Sequence, residues 1–314
     1  EALTEEDMKI FTSLHDGCSL LNGRFAQWMD SFPNGNVVFD VGTGARAVSK
    51  IPSNNLTEPA IEYPVLLYDG PFSDASDTNT FKALGEGVVD AAQAQEIATQ
   101  YIGADRVRSV RVTGESLLPV ENFTLEADTE SGLIDIAVTK AGGKVLYMLC
   151  ESGQTQVKIS EAEASDMASK FLARNGYEGM QVNYWNQEEG IITMNFASSQ
   201  DGVLLYPDLV KVEVSLADGL VLGVEAANYL RNHVPRQGLT PALSADVAML
   251  RVNPLLEVIG TKLCLIPVNS TEVLCYEFMA RHDGLDYLVY IDANTGSERM
   301  ILKLIEEDNG ILTQ

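Results

Sequence analysis

The apolar residues of this 314-residue chain alternate between two periods. From Ala164 they recur at Met167, Ala168, Phe171 and Leu172, spacings of three and four that lay one apolar stripe along a helix. Ser160, with Glu163 three residues later, forms a capping box ahead of the stripe, and Gly176 stops it. Short strand-like runs follow at 182–185, 191–196, 209–216 and 220–225. The last two are joined by Asp218-Gly219, which signals a tight hairpin. The pattern predicts one helix followed by an antiparallel sheet.

The unit recurs. Seventy residues upstream, Asp90 and Gln93 replace the cap pair, and Ala94, Ile97, Ala98, Tyr101 and Ile102 reproduce the stripe. Eighty residues downstream, Thr240 is the expected cap, Pro241 the expected first helical residue, and Val247, Ala248 and Val252 keep part of the stripe. Ser244 and Arg251 interrupt this third copy. The closing hairpins match as well, because Gly143, Gly219 and Gly296 fall at nearly equal intervals. Helix and hairpin recurring together predict an α+β chain of three tandem repeats, each a helix packed on an antiparallel sheet.

The resulting organisation has six parts. Residues 1–30 form an N-terminal helix capped by Thr4, with a stripe through Met8, Phe11, Leu14, Cys18, Leu21, Phe25, Trp28 and Met29. Residues 31–86 are an irregular linker rich in Gly, Pro and Asn. It contains Tyr68-Asp69-Gly70-Pro71-Phe72-Ser73, which reads either as a structural loop pinned by Tyr68 and Phe72 or as an interaction loop. The repeats occupy 87–150, 157–229 and 239–305, and 306–314 is a polar tail. The joins at 151–156 and 231–238 are short, which predicts a stacked or curved rod.

Charge narrows the partners. A formal net charge of −24 repels phosphate backbones and anionic lipid and suits a basic protein partner, or serves solubility alone. No apolar run approaches the ~20 residues of a membrane helix. The chain opens at Glu1 with no signal peptide, as a processed or cloned fragment would.

Candidate chemistry is sparse. Phe39-Asp40-Val41-Gly42-Thr43-Gly44 begins like a nucleotide-binding turn but lacks the third glycine, and Pro52 interrupts the helix that should follow. Asp292-Ala293-Asn294-Thr295-Gly296 has part of a calcium loop, but Gly296 is where the repeat places its hairpin. His15, His233 and His282 lack partners at metal-ligand spacing and read as surface residues. Cys264 and Cys275 can face each other across a hairpin turning at Asn269-Ser270, as a disulfide or as two buried thiols. Nothing in these patterns points to an enzyme, a cofactor or a metal.

The repeat resembles the PepSY domain, an amphipathic helix followed by an antiparallel sheet with a closing hairpin. Three copies are preceded by Tyr68-Asp69-Gly70-Pro71-Phe72-Ser73. They contain Leu263-Cys264-Leu265-Ile266-Pro267, Val273-Leu274-Cys275-Tyr276-Glu277-Phe278 and Tyr287-Leu288-Val289-Tyr290-Ile291. Together these resemble the C-terminal portion of the YpeB family of spore germination proteins. The resemblance implies a protein anchored on the extracytoplasmic side of the inner spore membrane through a segment missing here. It also implies a link to a spore-cortex lytic enzyme of the SleB type, which such proteins stabilise or restrain. It carries over no catalytic residue. Two alternatives come from other classes: a peptidoglycan or small-ligand module stacking sugars on Tyr184, Trp185 and Tyr229, and a peptidase inhibitor.

Overall fold

The computed structural model describes residue 72 and residues 80–150, 155–269, 271–307 and 310–313. The chain divides into two compact units, Glu1–Glu62 and Tyr63–Gln314, and every described residue belongs to the second. The expected N-terminal helix, most of the linker and the end of the tail lie outside the described residues.

Helix α1 (Ala91–Ile102) leads into strands β1 (Val107–Ser116), β2 (Asn122–Thr129), β3 (Gly132–Thr139) and β4 (Val145–Cys150). Helix α2 (Glu161–Arg174) leads into β5 (Gln181–Glu188), β6 (Ile191–Gln200), β7 (Val203–Ser215) and β8 (Val221–Glu225). Both capping boxes form as read. Asp90 accepts from Gln93 N at 2.9 Å, and Ser160 Oγ accepts from Glu163 N at 3.3 Å. Each returning Gln or Glu side chain accepts from the cap amide, which satisfies donors that the helix start leaves open.

The two four-stranded meanders are joined edge to edge. β4 pairs antiparallel with β8 through Tyr147–Glu225, Met148–Val224 and Leu149–Gly223. One continuous sheet results, β1-β2-β3-β4-β8-β7-β6-β5, and both helices contribute to the core on one of its faces. Ala94, Ala98, Tyr101 and Ile102 of α1 share that core with Ala164, Ala168, Phe171 and Leu172 of α2. Tyr101 and Phe171, equivalent positions of the stripe, meet edge to face at 5.4 Å. Asn175 and Arg174, at the end of α2, donate to the last carbonyls of α1. The stripe on each helix therefore buries against the other copy as well as its own sheet.

The hairpin glycines occupy equivalent places. A Cβ on Gly143 would lie 2.6 Å from Ile97 Cδ1, and one on Gly219 would lie 2.0 Å from Met167 Sδ. Ile97 and Met167 are the same stripe position seventy residues apart. Both glycines also have positive φ, 59° and 77°. The turn at Gly219 is wider than the tight hairpin expected from Asp218-Gly219: Gly219 N donates to Ser215 O, and β8 begins only at Val221.

The short helix α3 (Ala227–Asn232) and α4 (Ala245–Met249) precede β9 (Glu257–Val268), β10 (Thr271–His282), β11 (Leu285–Asp292) and β12 (Glu298–Glu307). Here too a helix, only five residues long, precedes a run of antiparallel strands. Its start differs from the sequence reading. Thr240 and Pro241 lie ahead of the helix, and Ser244 is the N-cap, accepting from Val247 N. Ala242 N and Leu243 N donate instead to Asn294 Oδ1 and Ala293 O in the hairpin, which holds this stretch out of a helix.

The last strands do not form a third independent sheet. β13 (Gly310–Thr313) returns along β12 and pairs with β5, while β9 pairs parallel with the first part of β7 at Leu204–Cys264 and Leu205–Leu265. The ladder β5-β6-β7-β9-β10-β11-β12-β13 closes on itself as an eight-stranded barrel. Its interior holds Tyr184, Leu204, Tyr206, Cys264, Ile266, Cys275, Leu288, Tyr290 and Leu304. Alternate residues on the β9–β11 side, including Leu265, Phe278, Val289 and Ile291, pack outward with Ala248 of α4 and Val252. The strands of the three segments join in one hydrogen-bonded network, because meander edges that would otherwise be exposed pair with one another.

Candidate functional site

One strand positions most of the buried polar groups. Across β7 the register on β6 jumps from Ala197–Leu209 to Ser198–Leu205, leaving Tyr206, Pro207 and Asp208 outside the ladder. Pro207 has no N–H to give, which suits a bulge and not a regular strand. The bulge frees β7 to pair with β9 and supplies polar side chains to two different places.

The first is the barrel interior. Glu277 of β10 is buried, and the Tyr206 hydroxyl donates to its Oε2 in a short hydrogen bond. Lys262, the cross-strand partner of Glu277, holds its Nζ 3.8 Å from Oε1 and reaches toward solvent. These residues line a cavity of about 350 Å³ together with Asn183, Tyr184, Met279, Leu288 and Leu304. The hydroxyls of Tyr184 and Tyr290 and Oδ1 of Asn183 are buried without a hydrogen-bond partner among the described residues. Burial, with the Glu277 charge adding to it, pushes the phenols of Tyr184, Tyr206 and Tyr290 well above their ordinary range. All three stay protonated and keep a donor at neutral pH.

Phe72 fills the same interior. It is buried, 4.8 Å from Tyr206 and 5.5 Å from Tyr290 between ring centres. Of the expected interaction loop, Phe72 is therefore an anchor. Tyr68, Asp69, Gly70, Pro71 and Ser73 lie outside the described residues.

The second place is the join between the second and third segments. Asp208 is fully buried and accepts two hydrogen bonds from Arg236, Nη1 to Oδ2 and Nη2 to Oδ1, both 2.7 Å. Arg236 also donates to Glu272 of β10 at 2.7 and 3.2 Å. His233 Nδ1 lies 2.7 Å from Asp208 Oδ2, and its ring stacks on Tyr229 at 4.3 Å. Burial opposes the Arg236 charge, but hydrogen bonds to Glu272 and Asp208 outweigh it and raise its pKa. His233, expected at the surface, keeps 34% of its side chain exposed and also belongs to this clamp.

Other expected positions resolve simply. Cys264 and Cys275 are register partners across the hairpin, as read, and both are buried free thiols. Asp292 caps the β11–β12 turn, with Oδ1 accepting from Asn294 N and Thr295 N and Oδ2 accepting from Arg299, so the hairpin reading of this segment holds. Tyr184 is buried, which removes it as a sugar-stacking surface, and Tyr229 packs on Tyr177 and His233. No group of three or more metal-ligating side chains is gathered among the described residues.

The sequence reading missed Tyr206, Asp208, Arg236 and the role of Glu277. A signal for two of them was present: Pro207 between two apolar runs marks a bulge, and Glu277 is a lone charge inside a strand of buried residues.

A family model described as "YpeB sporulation, PepSY1 and PepSY2 domains" matches residues 53–238. The chain is 34% identical to "Sporulation protein YpeB" of Halalkalibacterium halodurans over 230 residues, 72% of this chain and 51% of that protein. It is 27% identical to "Sporulation protein YpeB" of Bacillus subtilis over 74% of this chain and 53% of that protein. A solved structure, "Bacillus megaterium YpeB C-terminal domain", matches with a TM-score of 0.62 and 27% identity, covering 71% of this chain and 100% of that one. The chain spans about half the length of the curated relatives it matches. On the family match and the shared fold, this chain belongs to the YpeB sporulation family.

Proposed function

We propose that this chain is a non-catalytic partner of a spore-cortex lytic enzyme of the SleB type, which it binds, stabilises or restrains until germination, when it is needed for cortex hydrolysis. Membership of the YpeB family is the observation that carries this reading. The acidic balance supports it, since a net charge of −24 attracts a basic hydrolase and speeds encounter at low salt. The architecture suits a binding role. Four-stranded meanders joined through β4–β8, β5–β13 and β7–β9 form a continuous scaffold. The third helix-and-four-strand segment is read here as a further PepSY copy, after the two matched by the family. The site of action would be the extracytoplasmic side of the inner spore membrane or the cortex.

The test is a pull-down of the purified lytic enzyme on immobilised chain over a salt series. Retention at low salt that weakens as salt rises is expected. Absence of retention at low salt, with the relatives' N-terminal half restored, would remove the reading.

A further inference from the structure

The barrel cavity is built for more than packing. Eight-stranded barrels either fill with side chains or keep room for one small ligand, and this one does both. Phe72, Tyr206 and Tyr290 fill part of the interior, while about 350 Å³ stays open beside Glu277. That is the lower end of the range for small-molecule sites.

The polar groups that face this space converge on one chemistry. Tyr206 occupies Oε2 of Glu277, which leaves Oε1 as the acceptor nearest Lys262. Asn183 Oδ1 is a second buried acceptor and the Tyr184 hydroxyl a third, neither with a partner among the described residues. Tyr184 is 4% exposed, so its hydroxyl does not gain a hydrogen bond at the open surface. These three acceptors, one of them the buried carboxylate itself, match the three N–H donors of a primary ammonium. Met279, Leu288 and Leu304 supply an apolar wall for a short hydrocarbon body. Lys262 shows how a cation approaches this carboxylate. Its ammonium stands 3.8 Å from Oε1 on a side chain that is 60% exposed, free to swing outward and meet an anionic group on an entering ligand.

We propose that the mouth of the barrel binds a free, small primary amine with a compact apolar body, its ammonium on Glu277 and its hydrocarbon against Met279, Leu288 and Leu304. An amino-acid zwitterion fits best, because Lys262 then receives the carboxylate. This site is independent of the hydrolase partnership, and each can fail without the other.

Isothermal titration of the full chain with isoamylamine, L-leucine and N-acetyl-L-leucine tests it. Isoamylamine and L-leucine give saturable heats, L-leucine the stronger, and N-acetyl-L-leucine, which lacks the ammonium, gives none. Glu277→Gln keeps an acceptor for Tyr206 and removes the charge, weakening both amines by about tenfold or more. Tyr184→Phe removes an unpartnered buried hydroxyl, leaves folding intact and weakens them by about threefold to tenfold. It decides the matter if Glu277→Gln does not fold. No saturable heat from either amine up to about 10 mM, equal binding of N-acetyl-L-leucine, or unchanged affinity in the folded variants would overturn the proposal.

Discussion

Replacing Arg236 with Leu tests how the second and third segments are held together. The side chain is 7% exposed and makes a bidentate pair with Asp208, whose own side chain is 0% exposed. Removing the guanidinium leaves that buried carboxylate without its bidentate partner, with His233 Nδ1 still 2.7 Å away. Breaking a buried pair from one side costs about 3–5 kcal/mol, most of it the penalty on the charge left behind. Glu272 is different. Its side chain is 34% exposed, so Glu272→Ala removes a partly screened contact and costs about 1 kcal/mol or less. For a folded unit of this size about 1 kcal/mol moves the melting temperature by ~2–4 °C, so Arg236→Leu lowers it by roughly 6–20 °C and Glu272→Ala by ~4 °C at most. Thermal and urea melts read by circular dichroism measure both. Equal losses in the two variants, or a loss below about 1 kcal/mol for Arg236→Leu, would refute the assignment of Asp208–Arg236 as the buried half of the clamp.

Three further outcomes are expected. Phe72→Ala empties the space between Tyr206 and Tyr290 and costs about 3–5 kcal/mol in urea melts, which ties the segment before residue 80 to barrel stability. Gly143→Ala drives a methyl into Ile97 at a positive-φ turn and destabilises by more than about 1 kcal/mol in the same assay, whereas Ala141→Gly changes stability by less. Asp292 is buried, and burial alone would raise its pKa. The hydrogen bonds from Arg299, Thr295 and Asn294 outweigh that and hold it below the usual carboxylate range. Its stabilising contribution is therefore complete above about pH 4 and is lost as pH falls through the lower folded value. Asp292→Asn flattens the acid limb of a stability-against-pH curve, and an unchanged limb would count against this role.

Local order was written plainly in the sequence, and long-range pairing was not. Asp90 with Gln93, Ser160 with Glu163, the two stripes, and Gly143 and Gly219 determined α1, α2 and their hairpins, because caps, period and turns act over a few residues. The third helix was misplaced from Ser244 to Thr240 because Ala242 and Leu243 are held by the distant turn at Ala293 and Asn294, which no local pattern reveals. Of the candidate site, the burial of Cys264 and Cys275 and their facing positions were legible from their places on a hairpin. The cavity at Glu277 was not. A period of two says which residues share a face, but it does not say which strand edges meet. Only the tertiary structure decided that β4 would find β8, that β9 would lie along β7, and that β13 would reach β5 and enclose a carboxylate and three phenols. Those contacts join edges that every antiparallel meander leaves unpaired, and their choice rests on packing of the whole chain.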